Sequence, residues 1–186
     1  MSAAALPRKR FTREEVETMM NAGLFAGQRF ELIDGDLIEK MPQLPPHANG
    51  IRRLSKLLRA VFGEDRVQAQ LPIEVAPGEQ KYTVPEPDLA VMAESAIDLE
   101  NRHPRGNELA LVIEVADTSL RYDANGKRDL YARAGVPEYW VWDLKGRKLI
   151  VHRNPKRGKY TSQATLTSRD TVTIEGHAIR VAGMLP

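Results

Sequence analysis

Three segments in the middle of the chain have patterns of hydrophobic and polar positions that predict strands. Leu109–Val115 is almost continuously apolar, which is typical of a central strand covered on both faces. Pro87–Met92 is a shorter apolar run of the same kind. Residues Val67–Val75 alternate between apolar and polar side chains, as a half-exposed strand does. The pattern therefore predicts at least three strands in the middle of the chain.

Two pairs of β-prone segments are joined by short turns and predict hairpins. Arg29–Ile33 and Asp36–Lys40 flank Asp34-Gly35, and a DG pair between such segments is the strongest local hairpin signal. Lys145-Gly146 lies in the same way between Tyr139–Trp142 and Lys148–Val151.

Other segments carry apolar residues at spacings of three and four, which predicts helices. The first helix follows Thr12, which forms a capping box with Glu15, and ends at Gly23. The second runs from about His47 to Phe62 with an apolar face and a basic face, and the third from about Ser119 to Ala134. Together these elements predict an α/β (α+β) fold, in which helices flank a mixed central β-sheet and extra β-hairpins extend it.

Composition narrows the function classes. The 186 residues include no cysteine, which excludes disulfide scaffolds, thiol catalysis and cysteine-based zinc sites. A net charge of +2 is too small for a diffuse basic surface, so any nucleic acid must contact local patches. No apolar run is long enough to cross a membrane. We expect a flexible basic arm at residues 1–10, a single domain at 11–186, and a cytoplasmic protein without membrane contact.

Two acidic residues lie in apolar strands, where a carboxylate is costly to bury unless it is paired or binds a cation. Glu114 shares its strand face with Ala110, Val112 and Ala116, and Asp88 lies at the start of the strand that follows Pro87. Two carboxylates at neighbouring strand ends form an oxygen-rich site suited to magnesium. Alternatively, each simply ends its strand at a solvated loop.

Lys127 lies on the apolar stripe of the third helix, which continues through Leu130, Tyr131 and Ala134. From that position its ammonium can reach a carboxylate cluster. Alternatively, it extends to water or pairs with Asp123 one turn earlier. Metal-dependent phosphodiester hydrolysis needs two carboxylates to hold a cation and an ammonium to steady the nucleophile or the transition state.

The chain resembles the Uma restriction-endonuclease family, which belongs to the PD-(D/E)XK nuclease superfamily. The similarity lies in Phe30–Asp36, Pro87–Val91, Leu111–Val115 and the segment from Lys127 through Tyr131–Trp140, and the GVPEYW block is its most specific part. The resemblance implies a restriction-endonuclease-like fold. It also implies that Asp88 is the motif aspartate, that Glu114 is the second metal ligand, and that Lys127 is the catalytic lysine.

The chain also departs from the usual motif. The lysine normally lies two residues after the glutamate, where this chain has Ala116, so the helix must supply it. The family's Ser-Pro-Ser turn is Asp117-Thr118-Ser119 here. Glu31 and His47 match a hairpin glutamate and a histidine of the family, which makes both candidate accessory residues. Alternatively, Glu31 is an exposed hairpin residue and His47 a satisfied residue at a helix start.

These observations favour an endonuclease that hydrolyses DNA with Mg²⁺, or Mn²⁺, held by Asp88 and Glu114. The alternative is a DNA-binding or regulatory module that keeps the nuclease fold without catalysis. We expect DNA contacts from exposed basic residues, namely Arg52, Arg53, Lys56 and Arg59, or Arg121 and Arg128. A homodimer is left open.

Overall fold

A computed structural model describes residues 8–40, 44–94 and 99–184 of the chain. The helices are α1 (Arg13–Asn21), α2 (Pro45–Phe62), α3 (Leu120–Tyr122) and α4 (Arg128–Arg133), and a π-helical turn, Asp123–Lys127, joins the last two. The strands are β1 (Phe30–Ile33), β2 (Asp36–Glu39), β3 (Val67–Ala69), β4 (Leu89–Met92), β5 (Leu109–Ala116), β6 (Glu138–Asp143), β7 (Lys148–Lys156), β8 (Lys159–Leu166), β9 (Thr171–Ile174) and β10 (His177–Arg180).

A mixed sheet of six strands forms the centre of the fold, in the order β3-β4-β5-β6-β7-β8. Only the pair β5–β6 is parallel, because the helical segment between them returns the chain to the same end of the sheet. Two separate antiparallel hairpins, β1–β2 and β9–β10, complete the fold. The predicted α+β architecture with extra hairpins is therefore confirmed, and β5 is the predicted central strand, buried along its whole length.

The two faces of the sheet carry separate hydrophobic clusters. On the first face, Leu54 and Leu58 of α2 pack with Ile113, Val115 and Trp142 of the sheet. The side chains of the β9–β10 hairpin add Val172, Ile174 and Ile179 to the same cluster. The alternation of side chains along β5 sends Glu114 to the opposite face, together with Val112 and Ala116.

The strand predicted at Val67–Val75 is shorter than expected. Strand β3 ends at Ala69 because Gln70 adopts a left-handed backbone conformation, with φ of 53°. Beyond this point, the apolar residues Ile73 and Val75 are buried in a loop and not in a strand. The alternation therefore predicted burial only in part, since Leu71 is half exposed and Gln68 is buried, and it overestimated the length of the pairing.

The helix predicted at Ser119–Ala134 is interrupted. Its middle turn, Asp123–Lys127, is π-helical, and both terminal residues of that turn are buried. A π-helical turn contains one residue more than an α-helical turn, which changes the direction of the side chains that follow. The other local predictions hold: Thr12 and Glu15 form the capping box of α1, and Asp34 and Gly35 have positive φ at the β1–β2 turn.

Residues 1–7 of the predicted arm lie outside the described residues. Arg8 forms an ion pair with Asp36 at 2.7 Å, and Arg10 pairs with Asp34 and covers the ring of Tyr82. Arg8 and Arg10 thus contact the β1–β2 hairpin, and Arg10 also contacts Tyr82. Among the described residues, no helix is long and apolar enough to cross a membrane.

Candidate active site

Asp88 and Glu114 lie opposite each other where β4 and β5 pair. The register aligns Leu89 with Ile113 in antiparallel strands, so the residue before Leu89 faces the residue after Ile113. Residues directly opposite in a sheet share a face, and here Ala90 and Val112 mark that face. Asp88 is fixed there because its Oδ2 accepts a hydrogen bond of 2.8 Å from the amide of Val115.

Lys127 reaches this face from the π-helical turn and is almost fully buried, with 3% of the residue exposed. Its Nζ lies 2.9 Å from Oε1 of Glu114 and also 2.9 Å from Oε1 of Glu31. The side chain therefore does not extend to water, and its main partners are two buried carboxylates. Ala116, where the usual motif places lysine, is buried opposite Asp143 in the β5–β6 pair.

Glu31 enters the same cluster from the β1–β2 hairpin, which is not part of the central sheet. Only 4% of the residue is exposed, and the amide of Glu86 approaches its Oε2 at 3.4 Å. Leu32 of the same strand forms a bridge with Val84, which holds the hairpin against the loop that leads to β4. Glu31 is therefore a buried ion-pair partner and not an exposed hairpin residue.

Glu114 is a buried carboxyl group whose surroundings disfavour its charged form. Its burial raises its pKa to about 8, although the neighbouring ammonium of Lys127 favours the carboxylate. The nearby carboxylates of Asp88, Asp123 and Glu31 raise the pKa further. Oε1 accepts bonds from Lys127 and, at 2.7 Å, from the hydroxyl of Tyr131. A carboxylate in this state gains from any added positive charge.

The pKa of Lys127 shows the opposite balance. Burial alone would lower it, but the carboxylates of Glu114, Glu31 and Asp123 outweigh that effect. The pKa of Lys127 is therefore held well above its ordinary value, and the side chain stays charged.

His47 contacts the cluster from the first turn of α2. Its Nε2 lies 3.3 Å from Oδ2 of Asp88, and this interaction raises the pKa of His47 despite the opposing effect of burial. Burial would raise the pKa of Asp88, but His47 and the amide of Val115 together lower it. His47 thus keeps Asp88 ionised and fixes its orientation.

Sequence reasoning did not select Asp123 and Tyr131 as site residues. Asp123 is buried, accepts a hydrogen bond from the hydroxyl of Ser119, and has a raised pKa because of its burial. Tyr131 is fully buried and binds Glu114. Both could have been found from the spacing of four residues that relates each of them to Lys127 on one helix stripe.

The six predicted DNA-contacting residues do not form one patch. Arg52, Lys56 and Arg59 line a groove along α2, whereas Arg53 is exposed on the same helix and does not line the groove. Arg121 is exposed on α3, and Arg128 is half-buried and pairs with Asp129 at 2.8 Å.

The residues present have a charge distribution that suits a hard cation. Three buried carboxylates, those of Glu31, Glu114 and Asp123, act on the buried ammonium of Lys127, and a fourth, that of Asp88, lies on the same sheet face. Oδ1 of Asp88 and Oε2 of Glu114 accept no hydrogen bond from the described residues, so both keep free lone pairs. Within the described ranges, no three acidic or histidine side chains lie close enough together to hold a metal ion. The fit to Mg²⁺ therefore rests on Asp88 and Glu114.

Comparison with known proteins identifies the family and the fold of the chain. The sequence model of the Uma2 family, described as "Putative restriction endonuclease", matches residues 14–181. A crystal structure from Anabaena variabilis, titled as a putative nuclease belonging to DUF820, aligns with a TM-score of 0.66 at 14% identity. That alignment covers 83% of this chain and 88% of the other, and it shows that the two share a fold. No curated protein matches the sequence. The extent of the family match establishes that the chain belongs to the Uma2 family.

Proposed function

We propose that the protein is a divalent-cation-dependent endonuclease that hydrolyses DNA phosphodiester bonds. The observation that carries the proposal is the position of Lys127. Its ammonium is buried between Glu31 and Glu114, on the sheet face that also holds Asp88. An acidic pair on neighbouring strands beside a buried lysine can hold a cation and stabilise the charge that develops during phosphodiester hydrolysis.

Asp88 and Glu114 are the residues that would hold the cation, through oxygens that are not already used in hydrogen bonds. When bound, Mg²⁺ or Mn²⁺ would supply positive charge for the phosphate and lower the pKa of a coordinated water. Burial makes Glu114 accept such a charge readily, since its pKa is raised to about 8 without one.

The side chains around Asp88 and Glu114 would supply positive charge and fix the orientation of the two carboxylates. Lys127 provides a fixed positive charge beside the position that a phosphate would take, where charge develops during hydrolysis. Glu31 is a positioning residue for Lys127, because it binds the same ammonium as Glu114. His47 is a positioning residue for Asp88.

The alternative, a DNA-binding module without catalysis, leaves the buried charges without a role. Replacing a buried ion pair by apolar residues is often neutral or stabilising, so the fold alone does not require Lys127 between two glutamates. Four buried carboxylates would also repel a phosphate when no cation is present.

A nicking assay on supercoiled plasmid tests the proposal. We expect the wild-type protein to nick the plasmid with Mg²⁺ or Mn²⁺ and not in EDTA. Asp88→Asn and Glu114→Gln should abolish nicking and weaken Mn²⁺ binding measured by calorimetry. Glu14→Gln, which changes an exposed carboxylate of α1, is the matched control and should match wild type in both measurements.

Plasmid binding without nicking in either metal would contradict the endonuclease and favour the binding module. Nicking that survives in Asp88→Asn would contradict the assignment of the site.

A further inference from the structure

A groove of about 670 Å³ runs between α2 and the start of the loop after β3, on the outer side of the central sheet. We call it the α2 groove. Its basic side chains are Arg52, Lys56 and Arg59, which follow one another at spacings of four and three residues on one face of the helix. A single carboxylate, that of Glu64, also lines it. The groove therefore has an excess of positive charge, although the whole chain carries only +2.

The three basic side chains of the α2 groove have different hydrogen-bond partners. Arg52 donates a hydrogen bond of 2.9 Å to the amide oxygen of Asn49, a neutral partner that leaves its charge uncompensated. Lys56 is exposed. Arg59 binds Glu64 at 2.6 Å and Ser55 at 3.2 Å, which fixes the guanidinium at the far end of the groove. Two cations are thus available to an anionic ligand, and a third can exchange an exposed surface partner for it.

The α2 groove begins at the candidate active site. Ala48, which lines the groove, directly follows His47, whose ring contacts Asp88. Gln70, on the opposite wall, donates its backbone amide to the carbonyl oxygen of Asp88 at 3.1 Å. A chain molecule bound along the groove would therefore continue to the carboxylates of the site.

The dimensions fit one strand of nucleic acid. Arg52 and Arg59 are separated by about 10 Å along the helix axis, which equals the rise of about three nucleotides of a stacked strand. Strand β3 is an edge of the sheet and forms one wall, and α2 forms the other. The basic side chains of the groove form a single row along α2, which matches the phosphates of one strand.

We propose that the α2 groove binds the backbone of a single DNA strand on one side of the phosphate that is cleaved, through Arg52, Lys56 and Arg59. This inference rests on the proposed nuclease function and adds the substrate form: DNA whose strand is free of its partner next to the cleavage site. Contacts of this kind involve phosphates and therefore select no base sequence.

The test measures binding and cleavage separately. Binding of a fluorescein-labelled 12-nucleotide DNA strand is followed by anisotropy in EDTA, at several salt concentrations. Each single substitution, Arg52→Ala, Lys56→Ala or Arg59→Ala, should weaken binding about fivefold at 0.1 M salt. Each should also reduce the slope of log K against log salt by about 0.7, because one phosphate contact is lost.

Lys156→Ala is the matched control, since Lys156 is an exposed lysine of β7, near the opposite edge of the sheet. Its affinity and salt slope should equal those of wild type. The unlabelled strand, a blunt duplex and an RNA strand of the same sequence compete for the labelled strand. We expect the DNA strand to compete best.

Unchanged affinity in the three groove variants, an equal loss in Lys156→Ala, or stronger competition by the duplex or the RNA would overturn the inference. Its failure can be told apart from failure of the nuclease proposal. If wild type nicks the plasmid and the groove variants bind the DNA strand as well as wild type does, only the groove proposal is rejected. If binding of the DNA strand depends on the groove residues but no nicking is seen, only the nuclease proposal is rejected.

Discussion

The two faces of the central sheet are built from different kinds of residues. On the face covered by α2, the side chains of Leu54, Leu58 and Trp142 are fully buried and apolar. On the other face, Glu114 and Lys127 are just as deeply buried among apolar neighbours. The first face gains stability from burial of apolar surface, whereas the second must overcome the cost of removing charges from water. These are the charges for which we propose a chemical role.

The largest expected effect is that of Lys127→Met. It leaves Glu31 and Glu114 facing each other without their shared ammonium, which should lower the free energy of unfolding by about 3–5 kcal/mol. Cleavage should fall about 100- to 1000-fold, because a charge next to the reacting phosphate is lost. Urea unfolding and a nicking assay at a temperature where the variant is folded measure the two effects. Nicking at the wild-type rate would show that Lys127 serves only the fold.

On the apolar face, Leu54→Ala should lower the free energy of unfolding by about 2–5 kcal/mol through the cavity it leaves. Cleavage by the folded variant should stay within a few-fold of wild type, because Leu54 packs on the face that carries no charge of the site. The same unfolding and nicking assays apply. A loss of cleavage as large as that of Lys127→Met in the folded variant would remove the distinction between the faces.

His152 gives a pH dependence of stability that is independent of the site. Burial, reinforced by the charge of Arg128 and opposed by Asp129, lowers its pKa to about 4. The unfolded chain takes up a proton on His152 below about pH 6.5, whereas the folded protein does not until about pH 4. Stability should therefore fall as the pH decreases through this window, by about 2 to 3 kcal/mol.

Urea unfolding at pH 7 and pH 4.5 checks this dependence. His152→Phe should reduce the difference between the two pH values, and His177→Gln, which changes an exposed histidine of β10, should leave it unchanged. An identical pH difference in wild type and His152→Phe would contradict the assignment.

Tyr131→Phe should produce the smallest effect, measured at pH 9, above the pKa of about 8 of Glu114. It removes the hydroxyl that binds Oε1 of Glu114 at 2.7 Å, and a hydrogen bond to a charged group contributes about 1.5 kcal/mol or somewhat more. Tyr160→Phe is the matched control, because its hydroxyl binds the neutral carbonyl of Val136 at 2.8 Å and should cost about 1 kcal/mol or less. Equal losses of unfolding free energy would show that Glu114 carries no special charge.

Much of the fold and the central pair of the site could be predicted from local sequence. The capping box of Thr12 and the Asp34-Gly35 turn depend on neighbouring residues alone. The alternation of side chains placed Glu114 on a defined face, and the pairing of β4 with β5 brought Asp88 to the same face.

The rest depends on contacts between distant segments and on backbone detail. The contact of Glu31 with Lys127 joins a hairpin to a helix far along the chain. The similarity to a family made Glu31 a candidate accessory residue but did not pair it with Lys127. The π-helical turn at Asp123–Lys127 has an apolar spacing that an ordinary helix also satisfies. The left-handed conformation of Gln70 has no sequence signal, since glutamine is not a residue that favours it.

The most direct test of the account compares wild type with a variant in which the buried charges around Lys127 are removed together: Glu31→Gln, Glu114→Gln, Asp123→Asn and Lys127→Met. Because no buried charge is left without its partner within this cluster, the variant should unfold at a urea concentration equal to or above that of wild type. Single-turnover nicking of supercoiled plasmid with Mg²⁺ is then measured for both. The account predicts nicking by wild type and none by the equally stable variant. Nicking by both at similar rates, or by neither, would contradict it.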